Sequence, residues 1–287
     1  KGETDHPEWI QAEKFLRLLD KLAKEKGIPY SVSMGDHDYD GNEKPAMGRK
    51  GYVKRFGSKR YQNYAWYGGS SNTDTSHYQF FTANGRKYLH INLEVDAPMN
   101  TAFPDDEDQL KWAEKIIMEN PGMPTIISTH AYITDETNDG KFYGHEPNPE
   151  VKKKNRRRGE DRRGGLDIWN ELVKKHDQIF LTLSANYHEF NNRRGEKAGI
   201  GDTGEYYQIS TNNRGREVVE IMANYQGYPN GGNGWFRILV FDEKKNAITV
   251  KTYSDFLKEF KKTNRETPRT SDFVIELDLE KRMQRAK

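Results

Sequence analysis

Three short apolar runs most constrain what this chain can fold into, because each stops on side chains able to bind a metal or move a proton. Residues 28–34 (IPYSVSM) run into Asp36-His37-Asp38, and residues 124–128 (PTIIS) run into Thr129-His130. Residues 178–183 (QIFLTL) run into Ser184-Ala185-Asn186-Tyr187-His188. Short apolar runs rich in β-branched residues read as buried strands. Three strands that end in polar residues at one sheet edge build a site from segments far apart in the chain. Open α/β sheets place their ligands at such carboxyl ends.

The segments between these runs fit a layered α/β fold. Residues 7–26 read as an amphipathic helix with Trp9, Ala12, Phe15, Leu16, Leu19, Leu22 and Ala23 on one face, Pro7 in its first turn and Gly27 at its stop. Residues 77–81 and 87–95 read as paired strands joined through Asn84-Gly85, a strong hairpin signal. A helix is expected over 105–120, whose DDED run at 105–108 reads as a helix start rather than a metal cluster, and another over 166–175. The stretches 205–210, 218–225, 235–241 and 247–253 read as successive antiparallel strands. Residues 44–75 form a long insertion with weak periodicity. The sum is mixed α/β, with stacked sheets and outer helices.

Composition narrows the function classes. The 287 residues suffice for one large domain or two modest ones. Mean hydropathy is low at −1.04, but 16 Tyr, 13 Phe and 5 Trp are far too many aromatics for a disordered chain. The 46 basic and 44 acidic residues nearly cancel, so no global field points to nucleic acid or an anionic membrane. The absence of cysteine excludes disulfides, thiolate metal sites and a cysteine nucleophile. No apolar run reaches membrane-spanning length. The charge run at 152–163 (KKKNRRRGEDRR) reads as a solvated loop, with phosphate contact the lesser reading.

The segment SMGDHDYDGNE (33–43) admits two chemistries. Read from Asp36, D-x-D-x-D-G opens like a calcium loop, with Asp36, Asp38, Asp40 and Gly41 in place. An EF-hand also needs a bidentate Glu at the twelfth position, which here is Met47, and a helix before the loop. An EF-hand is therefore excluded, and a calcium loop of another sort stays open.

Read from Gly35, IPYSVSMGDHD resembles the segment carrying G-N-H-D/E in calcineurin-like metallophosphoesterases. STHAY resembles the third metal motif of that family, and LSANYHE sits where the family has L-S-G-H-x-H. The tail ANYQGYPNGGNGWFRILVFDEKKNAITVKTYS is similar to the C-terminal portion of a bacterial branch, so the likeness runs from Pro7 to Ser254. The resemblance implies a double β-sandwich flanked by helices, a four-layer αββα arrangement, with two divalent metal ions at the strand ends. It implies hydrolysis of a phosphomonoester or phosphodiester substrate, the cations flanking the phosphate and activating the attacking water. Carried over by position, Asp36 falls on a metal-ligating Asn, and His130 and Asn186 fall on ligands of that same metal. His188 matches a ligand of the other metal. His37 matches the histidine that contacts the phosphate and assists the leaving group, and Asp38 the acid that orients it.

The departures carry chemistry too. Asp36 stands for Asn, Ala185 for a turn glycine and Asn186 for His. These exchanges move the second metal toward oxygen ligands, favouring Mn²⁺, Mg²⁺ or Ca²⁺, with Zn or Fe still admitted. The added carboxylate strengthens cation binding and repels an incoming phosphate. The family's opening D-x-H and G-D-x-x-D/N motifs do not occur among these residues. The expectation is a single domain over 1–287 with a C-terminal extension from 254, truncated before its first strands. Such a fragment is inactive, and its full-length form is an enzyme. The alternative is a degenerate, non-catalytic protein that binds metal or a phosphorylated or glycan ligand. A Ser-His-Asp hydrolase using Ser184 and His188 is disfavoured, because no G-x-S-x-G elbow is present. The branch implies an extracytoplasmic location, periplasmic or secreted. His6, His77, His90, His145 and His176 have no motif context and read as structural. Asn224 and Tyr225, with Gly231, Gly232 and Gly234, read as turn chemistry, with ligand contact the lesser reading.

Overall fold

The computed structural model describes residues 4, 6–40, 48–95, 107–138, 141–144, 164–186, 204–261 and 271–283. Helix α1 (Pro7–Lys26) starts on Pro7, with the His6 ring accepting the Glu8 N–H, and stops at Gly27, whose φ of 64° suits glycine. Its inward stripe is narrower than the sequence suggests. Trp9, Ala12 and Leu16 pack on the core and Ala23 is buried, but Phe15 and Leu22 are 62% and 43% exposed. With Leu18 they form a second stripe on another face of the cylinder, which a 3.6-residue period separates from Trp9–Leu16.

The expected strand over 28–34 is not formed. The segment makes no strand pairing, and topology gives the reason. β3, to whose Asn92 it is hydrogen-bonded, already has both edges taken. Within the former insertion, α2 (Lys50–Phe56) and β1 (Tyr67–Ser70) appear. The hairpin β2 (His77–Ala83) and β3 (Arg86–Asn92) turns through Asn84 and Gly85, both with positive φ (51° and 79°), as a tight primed turn requires. Helix α3 (Gln109–Glu119) begins later than expected. Asp108 is its cap, accepting the N–H groups of Leu110 and Lys111.

The chain continues through β4 (Thr125–Ser128), β5 (Thr134–Asn138), β6 (Lys141–Gly144), α4 (Gly165–Glu171) and β7 (Ile179–Ser184). It closes with β8 (Glu205–Thr211), β9 (Glu217–Ala223), β10 (Trp235–Asp242), β11 (Ala247–Ser254), β12 (Glu259–Phe260), β13 (Asp272–Glu276) and α5 (Leu279–Met283). Seven strands form one mixed sheet in the order β1-β2-β3-β4-β7-β9-β8. Its centre, β3-β4-β7-β9, is parallel, and the outer pairs are antiparallel. The last strands are not one meander. β8 and β9 complete the large sheet, whereas β10, β11, β12 and β13 make a second, antiparallel one. The crossing lies at Asn230, Gly231, Gly232, Asn233 and Gly234, all at positive φ, a run that neither sheet can extend through.

Alternation along the central strands fixes the layers. Leu89 and Ile91 of β3, Ile127 of β4 and Val218 and Met222 of β9 face α1 to α4 in one core. Tyr88, Ile126, Val219 and Ile221 point the other way and meet Ile248, Val250 and Ile275 of the second sheet. The result is a mixed α/β architecture with α1 to α4 on one face of the large sheet and the second sheet on the other. Residues after Ser254 belong to it, since β13 pairs with β11 and Leu277 and Leu279 enter the core between the sheets. The outer face of the second sheet carries no helix among the described residues, and Phe236, Val240, Phe260 and Val274 stand exposed on it.

Candidate metal centre

The parallel strands β3, β4, β7 and β9 bring their carboxyl ends to one edge, and the backbone keeps pairing just beyond it. Leu93 N–H donates to Ser128 O (2.8 Å), Thr129 N–H to Leu183 O (3.1 Å) and Ala185 N–H to His130 O (2.9 Å). The last bond ties the residue before Asn186 directly to His130.

The Gly35–Asp38 turn lies against this edge, and glycine makes the approach possible. A Cβ on Gly35 would sit 3.2 Å from Cε1 of the His130 ring, so the imidazole packs flat on the backbone there. Asp36 Oδ1 thereby lies 3.3 Å from His130 Nε2. Asp36 is buried, His130 partly buried and His37 exposed. Asp38 closes the turn, its Oδ2 accepting the Gly35 N–H at 2.8 Å while its own N–H donates to Gly35 O at 3.1 Å. Burial raises the Asp38 carboxyl above the usual carboxylate range. The Gly35 N–H, His130 and His37 oppose that rise, and the neighbouring Asp36 charge adds to it.

Asn186 sits at φ 60°, a left-handed conformation that asparagine tolerates better than most residues. Asn224, one residue past β9, holds it there: its Nδ2 donates to Asn186 O at 2.9 Å, and its own N–H donates to Gly204 O at 2.7 Å. So Asp36, His37, Asp38 and His130 are brought together, and the Asn186 loop adjoins them through backbone bonds. His188 and Tyr187 lie outside the described residues, as do His145 and the 152–163 charge run. Among the described residues no three His, Cys, Asp or Glu side chains converge as a ready-made cage. The Asp36–His130 pair is what the turn and β4 supply.

Asp40, which completes the calcium-like spelling, faces elsewhere. Its Oδ2 accepts the Lys50 N–H (2.8 Å) and its Oδ1 the Gly51 N–H (3.2 Å), so it caps α2. The alternating acids therefore do not act as one calcium loop.

Two residues that no motif announced anchor the turn. Asn92, the last residue of β3, hydrogen-bonds the Ser33 hydroxyl and donates to Val32 O (3.3 Å). Glu94, fully buried, accepts from the Tyr39 hydroxyl and from Arg49 Nε, each at 2.6 Å. The available signal was a polar residue ending, or just following, the run Tyr88 to Ile91 of β3. Tyr132, beside His130, is buried on Glu220, to whose Oε1 its hydroxyl donates at 2.6 Å.

No family model matches this chain. It is 26% identical over 283 residues to the uncharacterized protein YvnB of Bacillus subtilis (strain 168). That alignment takes in 98% of the chain and only 18% of the relative's length.

Proposed function

We propose that this chain carries the second-metal and phosphate-facing part of a calcineurin-like metallophosphoesterase site, hydrolysing a phosphomonoester or phosphodiester with divalent cations. The observation that carries the reading is the meeting of Asp36 and His130, 94 positions apart in the chain, at 3.3 Å by the carboxyl ends of the parallel strands of a mixed sheet. A double β-sandwich is the finer fold that goes with it, and the packing of the two sheets supports that reading.

The donor set fits a cation. A carboxylate and an imidazole converge, and the backbone bond from Ala185 to His130 brings the loop carrying Asn186 beside them. This oxygen-rich set suits Mn²⁺, Mg²⁺ or Ca²⁺ better than Zn²⁺. When bound, divalent ions supply Lewis acidity to the phosphate oxygens and to the attacking water. The chain's own residues do the rest. Asp36, His130 and Asn186 would hold the ion. His37, exposed beside them, faces the incoming ester and gives the leaving alkoxide its proton. Asp38 fixes the turn through the Gly35 N–H, and so keeps His37 next to Asp36.

Hydrolysis of bis(p-nitrophenyl) phosphate by the intact protein with Mn²⁺ tests this reading. Because p-nitrophenolate leaves without a proton, the role of His37 is read on an alkyl phosphodiester, where His37→Ala is expected to cut turnover by about 100-fold or more; unchanged turnover there would remove His37 from its role. Asn186→His is expected to shift preference toward Zn²⁺, and an unaltered metal preference would end the ligand assignment. The amide at 186 also favours a second reading, a domain that binds metal without turnover. Mn²⁺ bound with no hydrolysis of mono- or diesters would select that one.

A further inference from the structure

We infer that Glu94 is a positioning residue for the Asp36–Asp38 turn, acting through Tyr39; this rests on the metal-site reading above. Glu94 lies two residues past the end of β3 and is fully buried. Both carboxylate oxygens are engaged. Oε1 accepts the Tyr39 hydroxyl and Arg49 Nε, each at 2.6 Å, and Oε2 accepts the Thr75 hydroxyl at 2.6 Å. Its backbone N–H donates to the Ser76 hydroxyl at 2.8 Å. A buried carboxylate with this many donors has a fixed position, and the Arg49 charge balances it.

Tyr39 directly follows Asp38 and is itself buried. The phenol therefore converts the fixed place of Glu94 into a fixed exit for the turn. Asn92, two residues earlier, pins the entry at Val32 and Ser33. Since the entry and exit ties both start from the end of β3, the turn has little freedom to move relative to β4, which pairs with β3 and carries His130 at its end. The 3.3 Å Asp36–His130 approach depends on that register. Metal ligands are held by partners of this kind, whose loss weakens metal binding without removing a ligand.

Two variants separate positioning from plain stability. Tyr39→Phe deletes the hydroxyl that ties the turn to Glu94. Thr75→Val deletes a Glu94 hydrogen bond of the same length but touches no part of the turn. Tyr39→Phe loses its hydroxyl bond to Glu94, whereas Thr75→Val also loses a contact with Thr73 Oγ1 at 2.6 Å, so Thr75→Val is expected to lower the melting temperature at least as much. Mn²⁺ alone is the probe, titrated into each protein and read as free Mn²⁺ by electron paramagnetic resonance. Tyr39→Phe is expected to weaken Mn²⁺ binding by about tenfold, with Thr75→Val within about twofold of wild type. Equal weakening in both variants, or none in Tyr39→Phe, overturns the role of Glu94 while leaving the metal site standing. A wild-type protein that binds no Mn²⁺ ends both inferences at once.

Discussion

Lowering the pH from 7 to 5 should destabilise this fold through two buried histidines. His77 is 2% exposed, stacked on Tyr61 at 5.1 Å between ring centroids, with its Nε2 buried and without a partner among the described residues. Burial pushes its pKa down from 6.5 to about 3, and the nearby His90 adds to the fall. Burial also lowers His90 from 6.5 to about 4. His90 is engaged as a neutral ring, with Nε2 2.6 Å from the Ser128 hydroxyl and Nδ1 3.1 Å from Gln79 Nε2. Both folded values lie below the unfolded one, so the unfolded chain binds the extra protons. The stabilisation from neutral burial is complete above the unfolded value. It is lost as the pH falls from 6.5 toward about 4 for His90 and about 3 for His77.

Each pH unit inside that window costs about 1.4 kcal/mol per histidine. At pH 5 the loss is therefore about 2 kcal/mol for each and roughly 4 kcal/mol together, a large part of a typical domain's stability. Urea unfolding followed by tryptophan fluorescence at pH 7 and pH 5 measures it. His77→Phe keeps an aromatic ring against Tyr61 and removes the titrating group, so the variant should lose about 2 kcal/mol less than wild type over the same interval. Identical pH dependence in the two proteins would refute the assignment of His77 as a neutral buried group.

Two further outcomes follow from the geometry. Gly35→Ala places a methyl 3.2 Å from the His130 ring, so the ring must shift; stability should fall by about 1 kcal/mol in thermal melts, and Mn²⁺ affinity should fall with it. Glu205→Gln leaves the largely buried Arg237 (3.3 Å) and Lys261 (2.8 Å) without their carboxylate; the loss should be about 3 kcal/mol in urea, and a change under 1 kcal/mol would contradict a buried ionic role.

The parts of this structure that were legible in the sequence are those in which local pattern and tertiary outcome agree. Pro7 and Gly27 bound α1 as written, and Asn84-Gly85 turns the β2–β3 hairpin. The polar ends of the runs at 128 and 183 do reach one edge, because β4 and β7 are parallel neighbours. What the sequence hid depends on pairing choices that no local pattern encodes. Residues 28–34 have the composition of a strand, yet β2 and β4 already occupy both edges of β3. β8 through β11 look alike residue by residue, and only the glycine- and asparagine-rich crossing at 230–234 assigns them to two sheets. Asp40 spelled a calcium ligand with Asp36 and Asp38 and instead caps α2, a use of aspartate that composition does not distinguish. Asn92 and Glu94 support the site from positions without motifs, and Asn224 from a tail segment that reads as turn chemistry, so their roles emerge only from their partners.

The measurement that bears most directly on the metal-site reading is electron spin-echo spectroscopy of Mn²⁺ bound to this protein. The reading predicts nitrogen modulation from an imidazole that is lost in His130→Ala, together with loss of tight Mn²⁺ binding in Asp36→Ala. Tight binding with an unchanged nitrogen signal in both variants would place the ion elsewhere and contradict it.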